Sequence, residues 1–119
     1  MPKEYARSER VAQSIIRQLA IILRSEVKDP RVSGLTITDV EVTKDLRQAK
    51  VFVSSMLGDD TDIEGTMAAV DRANGFLRRK LASVIEMRHC PNLIFAYDSS
   101  ISDGAKMSAL IDKALNSNN

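Results

Sequence analysis

Between residues 6 and 28 apolar side chains return every three or four positions. Ala12, Ile15, Ile16, Leu19, Ile22, Leu23 and Val27 fall on one side of a helix turning about 100° per residue, so this stretch reads as one long amphipathic helix. Pro30 is expected to stop it, with Asp29 biased out of helix by the proline that follows. The period then shortens to two. Residues 35–42, LTITDVEV, and 48–56, QAKVFVSSM, are rich in Val, Ile, Thr and Phe and read as strands. The short polar TKDLR between them predicts an antiparallel hairpin. In the first strand the apolar parity slips between Ile37 and Val40, which predicts a bulge near Asp39.

GDDTD, residues 58–62, reads as a turn and a helix start, with Thr61 or Asp62 as cap. An apolar stripe of Ile63, Met67 and Val70 ends near Ala73, and after Gly75 a second one runs Leu77, Leu81, Val84 and Ile85 until Pro91. NLIFAYD, residues 92–98, predicts a third strand. A last helix is expected near the end, with Ser102 as cap and Met107, Leu110, Ile111 and Leu115 inward, before a frayed tail at 115–119. The class is therefore α+β: one domain over residues 1–119, a three-stranded sheet with helices packed on one face.

Composition narrows the function classes. A chain of 119 residues, 44% hydrophobic and 28% charged, suits one folded domain with a core of its own. The single cysteine excludes an internal disulfide, the N-terminus lacks the apolar core of a signal peptide, and no apolar run could span a bilayer; a cytoplasmic protein with no membrane contact is expected. The net charge is only +1, but it is unevenly spread: residues 1–31 carry +3, 32–71 carry −5, 72–89 carry +4 and 90–119 carry −1. Two basic segments flanking an acidic one could form a phosphate-binding face, or simply solvate two helices.

No catalytic set emerges. His89 and Cys90 are neighbours, which along a helix point about 100° apart and make a poor base–nucleophile pair. Cys90 is expected as a small buried apolar residue. A metal site would need more His or Cys, and DDTD lacks the spaced ligands of a calcium loop. Glu26 is read as pairing with a nearby cation or sitting at the core edge. The expectation is a protein that is no enzyme and needs no cofactor.

Two features point to RNA instead. Arg10, Arg17 and Arg24 recur every seven residues and Lys28 follows one turn on, a row within about 40° of arc opposite the apolar side, with Ile21 in the same sector. In DRANGFLRRKL, residues 71–81, Gly75 interrupts good helix formers at a cost of about 0.5–1 kcal/mol relative to Ala. Asn74 and Gly75 both tolerate a helix ending, so the helix is expected to kink there and a second one to begin near Phe76. Its free N–H groups, with Arg78, Arg79 and Lys80 in the first turns, would attract phosphate.

The order helix–strand–strand–helix–kink–helix–strand resembles the type II KH domain, an RNA-binding fold. That family has a Gly-x-x-Gly loop, where this chain has Ala73-Asn74-Gly75. The departure, with RVAQSIIRQLAIIL, VKDPRVSGLTITDVEVTKDLRQAKVFV and YDSSISDGAKMSALI, makes nearly the whole chain similar to the ribosome-binding factor A family. The resemblance implies a non-catalytic assembly factor that binds the immature small (30S) ribosomal subunit, helps 16S ribosomal RNA mature and matters most in the cold; a monomer is expected. Carried onto this chain, it implies RNA contacts at Ala73, Asn74, Gly75, Arg78, Arg79 and Lys80, and at Lys28 and Arg31 of KDPR. Arg10, Arg17, Arg24 and Arg88 complete the candidate set. With aromatic residues at only 4%, recognition of RNA shape and phosphates is expected over base stacking. Two other readings are a general single-stranded-RNA KH module and a protein-interaction adaptor.

Overall fold

The two period-two stretches pair as the sequence predicts. In the computed structural model, which describes residues 3–55 and 62–98, β1 (Leu35–Val42) and β2 (Gln48–Ser55) form an antiparallel hairpin. The register slips between Ile37 and Asp39, so Thr38 is the extra residue of the expected bulge. Its hydroxyl donates to the Asp98 carboxylate at 2.5 Å, just beyond the third strand. That strand, β3 (Asn92–Tyr97), pairs parallel with β2, which gives the order β1-β2-β3.

Two of the helices differ from expectation. α1 spans Lys3–Ser25 and ends before Pro30 rather than at it. Pro30 instead opens a four-residue α2 (Pro30–Ser33), where its missing N–H costs nothing. Asp29 caps this helix, accepting from the Arg31 amide at 2.9 Å.

α3 runs unbroken from Ile63 to Val84, capped by Asp62, whose carboxylate accepts from Gly65 N–H at 3.0 Å. The expected break at Asn74-Gly75 and new start at Phe76 are therefore corrected. The reason is phase. Thr66, Ala69, Val70, Ala73, Leu77 and Leu81 fall within about 120° of one helix. The stripe thus passes Gly75 without losing register, and one helix buries all of it. Val84, expected inside, is 49% exposed. The helix ends there and Ile85, with extended backbone, turns into the core instead.

The core lies between the sheet and the helices. Ile15, Leu19 and Leu23 of α1, Val32 of α2, Val51 and Val53 of β2, and Leu77 and Leu81 of α3 are fully buried. Each such aliphatic side chain contributes about 1.5–3 kcal/mol on burial. The predicted last helix, with Ser102, Met107, Leu110, Ile111 and Leu115, lies outside the described residues, as does the tail.

Candidate nucleic-acid interface

The arginine row is real over three of its four members. Arg10, Arg17 and Arg24 are all exposed on α1, opposite the buried Ile15, Leu19 and Leu23. Among the described residues no carboxylate pairs with them. Ile21 stands exposed in the same sector at 53%. Lys28 is corrected: α1 stops at Ser25, so Lys28 belongs to the connection to α2 and does not extend the row.

The three cations after Gly75 do not act as one group. Consecutive helical residues point about 100° apart, and each of these side chains takes a different course. Arg78 donates from Nη2 to the Cys90 carbonyl at 2.7 Å and from Nε to the Pro91 carbonyl at 3.2 Å. It ties the loop after α3 back onto the helix. Lys80 sits 3.6 Å from the Glu26 carboxylate and 5.8 Å from the Phe76 ring centre. Only Arg79 extends along an outer face, its guanidinium passing 3.4 Å from where a Cβ on Gly75 would lie.

Asn74 is committed too, donating 2.9 Å to the Leu93 carbonyl and so joining α3 to β3. Ala73 is half-buried against the core. Arg31 pairs with Asp29 at 3.1 Å, which holds that carboxyl below its ordinary value, chiefly through the side-chain hydrogen bond. The Glu26 pairing bears out its reading as a partner for a nearby cation.

An open groove emerges at the opposite end of α1. About 600 Å³ of space lies between α1, the β1–β2 turn and the loop after α3, with Arg7, Arg47, Arg78, Arg88 and His89 around it against Asp45 and Glu86. A second lobe of about 400 Å³ shares Arg7 and Glu86 and adds Arg10 and Arg17. The sequence reading missed Arg7 and Arg47, whose only signal was that each lies in a basic or polar stretch. Cys90, on the groove wall, is half-buried, and burial pushes its thiol up against a weaker opposite pull from Arg78. Among the described residues no group of three or more His, Cys, Asp or Glu could hold a metal ion, and no helix is long and apolar enough to cross a membrane.

Helices on one face of a β1-β2-β3 sheet, with β3 parallel to β2 and a basic surface across α1, define an α+β domain of the KH-like class. The chain belongs to the ribosome-binding factor A family, whose model matches residues 7–111. It is 48% identical to ribosome-binding factor A of Aromatoleum aromaticum over 115 residues, covering 97% of this chain and 90% of the relative. The Azoarcus sp. protein of that name is 47% identical over the same shares. The crystal structure of ribosome-binding factor A from Thermus thermophilus matches with a TM-score of 0.67 at 29% identity, over 76% of this chain and 93% of that one. A Thermus thermophilus homology model fitted into a cryo-electron microscopy map of a 30S–ribosome-binding factor A complex gives a TM-score of 0.62 at 30% identity, over 74% and 91%.

Proposed function

We propose that this protein binds the immature small ribosomal subunit through RNA phosphates and assists maturation of 16S ribosomal RNA without chemistry of its own. It works in the cytoplasm as a monomer, needs no cofactor, and its absence is felt most in the cold. Family membership supports this reading, as does the relative fitted into a 30S complex. The observation that carries it here is the row Arg10, Arg17 and Arg24. Three guanidinium groups, one every two turns and free of carboxylate partners among the described residues, form a surface suited to a polyanion.

Sedimentation with ribosomal particles tests the reading. The protein is expected to travel with immature small subunits at moderate salt and to leave them as salt rises. Its depletion is expected to accumulate a 16S precursor, more strongly at low temperature. Normal subunit profiles at every temperature, with no co-sedimentation, would overturn it.

A further inference from the structure

Among the described residues the ion pairs of this fold stand at one end, and the other end has none. Where α1 runs into α2 two of the cations have carboxylate partners, Lys80 with Glu26 and Arg31 with Asp29, while Arg24 and Lys28 have none among the described residues. Among the described residues Arg7, Arg10, Arg17, Arg47, Arg78 and Arg88 stand around the groove at the other end, against Asp45 and Glu86. No ion pair joins any of these among the described residues. The exposed Asp45 is engaged within its own turn, its Oδ1 accepting from the Thr43 hydroxyl at 2.6 Å and the Arg47 amide at 3.0 Å.

The walls are tied together. Arg78 holds the loop after α3 by two carbonyls, and the Asn92 amide donates 2.8 Å to the Arg47 carbonyl, which joins that loop to the hairpin turn. Within the turn Leu46 has φ 62, a left-handed conformation unfavourable for a residue with a Cβ. Strain of this sort is often retained where a side chain must be aimed, and the next residue is Arg47.

The lining decides the class of ligand. Among the described residues its one ring is the His89 imidazole, against the six guanidinium groups of Arg7, Arg10, Arg17, Arg47, Arg78 and Arg88, so cations rather than a stacking platform dominate its polar lining. It is open, and larger than a lone anion needs. We infer that a strand of RNA lies in this groove by its phosphodiester backbone, on Arg7, Arg10, Arg17, Arg47 and Arg88, with Arg78 serving to hold the wall. The inference rests on the RNA-binding reading above and goes beyond it in naming this groove, rather than the segment after Gly75, as the seat of the strand.

The test uses the full chain and a labelled oligouridylate of about 12 nucleotides, with affinity measured across a salt series. The variant Arg7→Gln/Arg47→Gln/Arg88→Gln is expected to flatten the log–log salt slope by about 2, at roughly 0.7 for each lost contact with a single strand. Lys50→Gln/Arg72→Gln, outside the groove and outside the candidate set, is expected to leave the slope unchanged, and lysine at all three groove positions to keep most of it. Thermal melting checks the fold. If the triple variant melts early, Arg88→Gln alone is expected to flatten the slope by about 0.7.

A parent protein that binds neither oligouridylate nor immature subunits would defeat the RNA-binding reading. A parent that binds RNA while the groove variants keep its slope would defeat the groove alone. Competition by a polyglutamate peptide but not by unlabelled RNA would assign the groove to an acidic protein segment and overturn the inference.

Discussion

The Arg78 guanidinium lies 2.7 Å from the carbonyl oxygen of Cys90, twelve residues on in the chain. With its second bond to Pro91, this makes Arg78 a clasp between α3 and the loop leading to β3. Hydrogen bonds from a charged group contribute about 1.5–3 kcal/mol when sheltered and less when exposed, and Arg78 is exposed. Arg78→Gln is therefore expected to lower stability by about 1–2 kcal/mol. Arg79→Gln, with no such partner, is expected to stay within about 0.5 kcal/mol of the parent. Urea unfolding measures both. Equal effects would mean that the clasp contributes nothing, and a variant reversing both charges would confuse folding with binding.

Asp29 joins a short helix to a pH dependence. Its carboxylate caps α2 and receives the Arg31 side chain, and the hydrogen bond from that side chain is the main reason its pKa lies below the ordinary value. A group whose folded pKa is depressed adds stability that is present above its unfolded pKa and fades as pH falls through the folded one. The Asp29 carboxyl is thus expected to titrate below an ordinary aspartate in an NMR pH series. Arg31→Gln is expected to move it back up. An unshifted Asp29 in the parent would contradict the pairing.

Gly34 has an ordinary backbone, φ −83 and ψ 0, so conformational freedom is not what it supplies. It supplies space: its amide donates to the Pro30 carbonyl at 3.0 Å, and a Cβ would stand 2.9 Å from that same oxygen. Gly34→Ala must push β1 away from α2 and is expected to destabilise by about 1–3 kcal/mol, the usual range for overpacking. Thermal melting checks it, with an unchanged midpoint as the contrary outcome.

The hairpin, its bulge and most of the core were legible because periodicity in this chain reports burial directly. A slip in parity at Ile37–Val40 could only be absorbed by an extra residue, and Thr38 is that residue. The unbroken α3 was misread from a local signal. Asn74 and Gly75 look like a helix ending, yet Val70 and Leu77 sit seven residues apart and so share a face to within about 20°. Burial of that face outweighs the roughly 0.5–1 kcal/mol cost of one glycine. α2 was hidden because a proline read as a stop is equally a start. The row on α1 was visible since one helix carries it. The groove was not, because Arg7, Arg47 and Arg88 belong to three segments that only the sheet and its connections bring together.

Thr66 offers the cleanest test of the core. It is 1% exposed on the inner face of α3, and its hydroxyl is a buried side-chain oxygen without a hydrogen-bond partner among the described residues. Leaving a hydroxyl dry and unpaired costs about 1–3 kcal/mol. Valine has nearly the same shape and no polar atom to satisfy. Both residues are β-branched, so helix propensity changes little. Thr66→Val is therefore expected to stabilise the protein by about 1 kcal/mol, read as a higher urea midpoint at unchanged slope. Thr66→Ala separates the causes. It also removes the hydroxyl but leaves a methyl-sized void, so its gain is expected to be smaller or reversed. A loss of stability in the valine variant would mean that the hydroxyl has a partner in solution, a buried water being the simplest.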